Sequence, residues 1–287
     1  NQDFAAGEAV MNRMMAHPKW ADDPQTYATV SEFYRRFHKL DQAEEYLRKA
    51  LGKGGGVDYR LALAEMVSQR GETDKALKVL EPLVDTDQIR AERVRILLAA
   101  KRPGQAEPIL NALLAKNPNS LELQRQMLQI DADEGRIDDL IQSTTAMLAK
   151  NPKNEVALYY RGMARLRQAS PDIDGAMRDL KAVIDNDPAN TDARYLLSTA
   201  YLTRNDWDSA INQIQQALSA EPTNKLLRLK LIELDSSTTP PRWNDVEKLI
   251  SDANANPALQ NDPPWDLAAG DMWKARNNAD QALPAYQ

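Results

Sequence analysis

The chain has no cysteine, only two histidines, three phenylalanines and no long apolar run. Without cysteine, disulfides, thiolate metal sites and cysteine nucleophiles are excluded. His17 and His38 stand alone, with no His-Glu-x-x-His or equivalent metal-ligand spacing around them. Both are expected on the surface or in turns, and no metal or other cofactor is expected. No apolar segment approaches the ~18 residues that a membrane span needs, so no direct membrane insertion is expected. Basic residues are outnumbered, 36 Lys and Arg against 42 Asp and Glu, for a formal charge of −6. That balance opposes a nucleic-acid partner, because binding phosphates needs a basic field. The opening Asn1-Gln2-Asp3-Phe4 has neither an initiator methionine nor a signal peptide, and reads as the start of a fragment or a processed chain.

What the sequence does have is self-similarity. Asp174 to Val183 followed by Asp187-Pro188 is nearly copied by Ser209 to Leu218 followed by Glu221-Pro222. Ala176 and Ala210 are 34 positions apart, as are Pro188 and Pro222. A fixed period of this size means stacked helical pairs. Small or apolar residues recur at one position along the whole chain: Ala9, Ala43, Ala76, Ala106, Leu140, Ala176, Ala210, Val246 and Ala282. Apolar residues four and seven positions later, such as Leu47 and Ala50 or Leu180 and Val183, fall on the same helical stripe. Pro118, Pro152, Pro188 and Pro222 each stand 12 after their anchor. There a proline stops one helix, and its fixed φ suits the start of the next.

A first helix precedes each of these second helices. The clearest is Asp192 to Arg204, with Asn205-Asp206-Trp207 as the turn. His38-Lys39-Leu40 is the turn before the Ala43 helix, and Gly71 and Gly135 sit where a left-handed residue ends a helix cheaply. Gly162 and Gly270, in mid-helix, allow close helix approach; elsewhere a helical glycine would cost about 1 kcal/mol. The 30-residue spacing from Ala76 to Ala106 is assigned to a shortened turn at Lys101-Arg102-Pro103-Gly104, and two extra residues lengthen the turn near Ser170-Pro171. Joints are expected at residues 52–57, 236–242 and 254–264, where glycine, hydroxyl residues and proline interrupt the pattern.

The unit resembles the tetratricopeptide repeat, whose pattern runs aromatic or large apolar, Leu-Gly, Tyr, then Ala, large apolar, Ala, Pro. The resemblance covers nearly all of 1–287. It implies an all-α fold, a right-handed α-solenoid of stacked antiparallel helix pairs. About eight units are expected, the first and last incomplete, with Ala9 in a lone second helix and Gln287 inside the last one. It also implies a groove lined by first helices. In the unit of Leu140 the groove positions are Glu122, Arg125, Gln126, Gln129, Ala132 and Asp133. In the unit of Ala176 they are Val156, Tyr159, Tyr160, Met163, Leu166 and Arg167, and in the next Asp192, Tyr195, Leu196, Thr199, Leu202 and Thr203. The candidate partner-binding residues are Arg125, Gln129, Tyr159, Tyr160, Met163, Arg167, Tyr195 and Thr199, with Arg161 beside them. Tyrosine, methionine and arginine are enriched in binding hot spots. The competing reading is that Tyr159, Tyr160 and Tyr195 pack between helices.

No catalytic site emerges. Gly54-Gly55-Gly56 lacks the preceding strand and the Gly-Lys-Ser/Thr ending of a phosphate loop. Acidic pairs such as Asp138-Asp139 sit at helix ends, where they aid capping. The expectation is a non-enzymatic scaffold that binds a protein or peptide partner in the groove. The carboxylate clamp of some family members is not matched, since Gln25, Ala28, Thr29 and Glu32, followed by Asp58 and Ala62, occupy its positions. The alternative is a structural, self-associating spacer module of a bacterial envelope or polysaccharide-export protein. "Ala-Lys-Asn-Pro" helix ends, at Ala115 to Pro118 and Ala149 to Pro152, give the chain a bacterial look, and either periplasm and envelope or cytoplasm fits.

Overall fold

The computed structural model describes residues 2–260 and 263–286, and every regular element among them is an α-helix. Two compact units divide the chain, Asn1–Met127 and Leu128–Gln287. Each is an all-α helical-repeat solenoid of antiparallel pairs. In the N-terminal unit, α1 (Gln2–Ala16) packs on α2 (Pro24–Arg36), and the pairs are α2 with α3 (Leu40–Gly52), α4 (Val57–Gln69) with α5 (Thr73–Leu80), and α6 (Asp87–Ala99) with α7 (Pro103–Lys116). Helix α8 (Leu121–Asp133) spans the division. In the C-terminal unit follow α9 (Ile137–Lys150), then α10 (Glu155–Arg167) with α11 (Ile173–Asn186), α12 (Thr191–Thr203) with α13 (Trp207–Ala220), α14 (Lys225–Ser237) with α15 (Trp243–Ala255), and α16 (Pro263–Ala275) with α17 (Ala279–Ala285).

All nine anchors fall in second helices, and all but Ala9 are buried. Helix α1 turns Phe4, Met11 and Met15 to the core, so the face carrying Ala9 is exposed. One first-helix position, 12 before Ala43 and 14 before Ala176 where the turn is two residues longer, explains the close approach. Ser31 donates its hydroxyl to the Ala43 carbonyl (2.6 Å), and a Cβ on Gly162 would meet Leu180 Cγ at 2.9 Å.

Six first-to-second turns share one device. His38, Gly71, Lys101, Gly135, Asn205 and Asn277, each five before its anchor, have φ between 55° and 80°. This left-handed residue ends the first helix and aims the next back along it. Lys101 therefore sits in a turn of ordinary length, which corrects the shortened turn expected there. The missing residues come out of α5, which ends at Leu80. Pro82 has no N–H for another helical bond, so the helix stops early.

The prolines also act differently from expectation. Pro152, Pro188 and Pro222 stand two residues before the N-caps Asn154, Asn190 and Asn224, whose side chains accept from Ala157, Ala193 and Leu227 N–H at 3.0, 2.9 and 3.1 Å. Proline ends the old helix and asparagine starts the new one.

Neighbouring pairs are also tied at their turns. An arginine in the turn between a first and a second helix reaches an acid near the start of the preceding second helix: Arg70 to Asp41 (2.9 Å) and Arg102 to Asp74 (2.6 Å) in the N-terminal unit. Arg204 to Asp174, Arg242 to Asp208, and Arg276 to Glu247 (3.2 Å) continue the rule in the C-terminal unit. Each exposed pair contributes little alone, because water screens the charges. Their regular placement pins repeat register.

Of the expected joints, 52–57 holds a hydrogen-bonded turn in which Gly55 N–H donates to the Ala50 carbonyl (3.0 Å). Residues 238–242 repeat the long turn of 168–172: Arg242 N–H reaches the Asp235 carbonyl (2.8 Å) as Asp172 N–H reaches that of Arg165 (3.1 Å). Residues 261 and 262 of the third joint, and Gln287, lie outside the described residues. Trp265 donates Nε1–H to the Leu259 carbonyl at 2.8 Å from a fully buried position.

Candidate functional site

The first helices place the expected binding residues unequally. Tyr160 and Met163 are only 3% and 6% exposed, which corrects their assignment to an open groove. Both pack in one core cluster with Leu128 and Ala132 of α8 and Leu140 of α9. The Tyr160 hydroxyl donates to Gln129 Oε1 at 2.8 Å, so its polar end is satisfied where the ring is buried. Tyr159 is half-buried and meets the Tyr160 ring edge-on, centroids 5.2 Å apart. Arg161 is not available to a partner either. Its Nε and Nη2 donate to the buried Asp179 carboxylate at 2.8 Å each, which raises the guanidinium above its ordinary value.

The remaining candidates are exposed. Gln129 donates Nε2–H to Asp133 (2.6 Å), and Arg167 reaches the Ala132 carbonyl through Nη1 at 3.4 Å. Gln129, Tyr160 and Arg167 are thus brought together between α8 and α10. Tyr195 is 40% exposed on α12, and Thr199, one turn on, donates its hydroxyl to the Tyr195 carbonyl. Arg125 is exposed on α8 in the N-terminal unit.

Sequence reasoning missed the other half of an apolar crevice beside Tyr195. Leu226, at the start of α14, is 76% exposed, and a crevice of about 390 Å³ between α12 and α14 is lined by Asp192, Tyr195, Leu226, Leu229, Lys230 and Glu233. Lys230 and Glu233 pair at 2.8 Å on its rim. The signal was present: α14 carries Leu226, Leu227, Leu229, Leu231, Ile232 and Leu234, more apolar positions than one buried stripe uses. Leu227, Leu231, Ile232 and Leu234 are buried, which leaves Leu226 as the surplus.

In the N-terminal unit a second crevice, about 400 Å³, lies between α2 and α4 and is lined by Ala28, Ser31, Glu32, Arg35, Tyr59 and Met66 among others. It is more polar. Arg35 donates to Glu32 at 2.6 Å, and this hydrogen bond holds the Glu32 carboxyl below its ordinary value. Among the described residues no group of three or more His, Asp or Glu side chains is placed to hold a metal ion. Nor is any described helix long and apolar enough to cross a membrane.

Comparison with known proteins agrees with this geometry. Residues 167–231 match the family model described as tetratricopeptide repeat. Lipopolysaccharide assembly protein B of Escherichia coli (strain K12) is 22% identical over 179 residues, covering 58% of this chain and 46% of that protein. Human protein O-mannosyl-transferase TMTC1 is 21% identical over 213 residues, 72% of this chain and 24% of that one. The chain thus spans less than half the length of these curated relatives. The solved human IFIT1 dimer with PPP-AAAA shares the fold, with a TM-score of 0.50 at 15% identity over 92% of this chain and 71% of that chain. Such helix-pair arrays are in general protein-interaction scaffolds and are typically non-catalytic. With anchors, turns and N-caps repeating pair after pair, the chain is a helical-repeat array that matches the tetratricopeptide repeat over residues 167–231, from the end of α10 into α14.

Proposed function

We propose that the chain is a non-enzymatic scaffold that holds an extended segment of a partner protein on its first-helix face. Tyr195 and Leu226 serve as the apolar anchors in the C-terminal unit. One observation carries this reading: an exposed aromatic and a strongly exposed leucine line the same crevice, rimmed by Asp192, Lys230 and Glu233. An apolar centre with a charged rim is the usual anatomy of a recognition patch. Gln129, Arg167 and Thr199 extend the face with polar contacts. Neither a nucleic-acid partner nor a reaction is part of this reading.

The test uses a displayed library of extended peptides selected against the full chain. The Tyr195→Ala, Leu226→Ala double variant should bind selected peptides at least about tenfold more weakly, ~1.4 kcal/mol or more. Its melting temperature should be nearly unchanged, because both side chains are exposed. Unchanged affinity would reject the face.

A second reading has one observation in its favour, the likeness to a protein named for lipopolysaccharide assembly. In it the array is a spacing or self-associating module of a bacterial envelope protein. Sedimentation at increasing concentration separates the two, since self-association must raise the mass and peptide binding alone leaves it unchanged.

A further inference from the structure

Three first helices of the C-terminal unit point charged side chains at their second helices, and the acceptor lies three residues after each anchor. In the α10–α11 pair, Asp179 takes Arg161 and also Arg165 (2.7 Å). In the α12–α13 pair, Gln213 Oε1 takes Arg194 Nη1 at 3.0 Å. In the α14–α15 pair the same position is Leu249, which has no polar side-chain atom to offer. Two buried groups are left short. Arg228 spends Nη1 and Nη2 on the Leu249 and Pro222 carbonyls, at 3.1 and 3.0 Å, and its Nε has no partner among the described residues. Asp235 is 0% exposed, and neither carboxylate oxygen has a hydrogen-bond partner among them.

The α14–α15 pair also reverses the charges of its counterpart. Arg165 faces Asp172 at 3.3 Å across one long turn, whereas Asp235 faces Arg242 across the other. Arg242 is drawn away by Asp208, leaving its Nη1 4.0 Å from Asp235, beyond hydrogen-bonding distance. The crevice above Asp235, about 320 Å³, brings in Asp245, Lys248 and Asp252 from α15, Arg228 from α14, and only uncharged Gln215 and Ser219 from α13. Both Asp235 oxygens are buried at the base of this crevice.

We propose that Asp235 is a proton-operated latch on the α14–α15 hairpin, closed when its carboxyl is neutral and opening more readily when it is ionised. An ionised carboxylate buried without hydrogen bonds is destabilising, and protonation removes that penalty. Burial first, then the Asp245 charge, push the group from 3.8 up to about 6, with Arg242 pulling the other way. The closed hairpin therefore binds the proton more tightly than the open chain. Its extra stability is complete below 3.8 and is lost as pH rises through about 6. Residues 236–242, expected as a joint from sequence, would then be one whose stiffness follows pH.

Amide hydrogen exchange of the full chain, corrected for intrinsic rates, tests this. Between pH 5 and pH 8 the opening constant of the α14–α15 amides should rise about tenfold, while the α10–α11 hairpin, with its carboxylate paired, stays level. Asp235→Asn should remain protected at both pH values, and Asp245→Asn should move the midpoint downward. A pH-independent α14–α15 hairpin, or an Asp235→Asn variant that keeps the slope, would overturn the latch. Should Asp235→Asn fail to fold, carboxyl-carbon NMR of the wild type decides. A midpoint above about 5 supports the latch, and one at the ordinary carboxylate value of about 4 refutes it.

Discussion

Replacing Asp179 by alanine should destabilise the C-terminal unit by about 3–5 kcal/mol. The carboxylate is buried, and both oxygens are used. Arg161 binds it through Nε and Nη2 at 2.8 Å each, and Arg165 adds Nη1 at 2.7 Å. Those guanidiniums are themselves largely covered. Without the carboxylate, two partly desolvated positive charges on successive turns of α10 are left with only Asp172, beside Arg165, as a counter-charge. The loss exceeds that of any surface pair in the chain, because water cannot replace the missing partner. Asp179→Asn keeps the shape but not the charge and should lie between. A triple variant with leucine at 161, 165 and 179 should recover most of the loss, since apolar packing can substitute for a complete buried ion cluster. Urea denaturation measures all three. An Asp179→Ala loss below about 1 kcal/mol would mean that the cluster behaves as exposed charges do.

Gly162→Leu is the second large effect, about 3 kcal/mol or more. A Cβ at this position alone would lie 2.9 Å from Leu180 Cγ, 3.1 Å from its Cδ2 and 3.5 Å from the Ala176 carbonyl oxygen. Leu180 is fully buried and cannot swing clear without opening the core. Alanine should cost less than leucine: its Cβ still crowds Leu180, but it adds no further atoms and gains about 1 kcal/mol of helix propensity over glycine. The contrast between a mild alanine and a costly leucine distinguishes close packing from simple helix propensity, which favours both replacements. Equal effects of the two would contradict it.

The period, the helix pairs and the anchors were legible because each rests on spacing along one helix, and spacing is what a sequence records. The left-handed turn residue was only partly legible. Glycine at 71 and 135 announces it, but His38 and Lys101 adopt the same φ without a side chain that favours it. Pro82 was overlooked because a proline six residues after its anchor breaks the period instead of repeating it. Tyr160 and Met163 failed as surface residues for a different reason. A first helix is covered by its own second helix, by the preceding one and by neighbouring first helices. One face list therefore mixes open positions such as Tyr195 with closed ones such as Tyr160. The unpaired Nε of Arg228 could have been suspected only by aligning Asp179, Gln213 and Leu249, where the acceptor is lost at the third, and the unpaired Asp235 only by aligning it with Arg165.

The most direct measurement of the binding face is a hydrogen-exchange footprint on the full chain with a library-selected peptide bound. The scaffold reading predicts added protection in α12 and α14, around Tyr195 and Leu226, with α11 and α13 unchanged. Protection confined to the second helices α11, α13 and α15 would place the partner on the opposite side and contradict it.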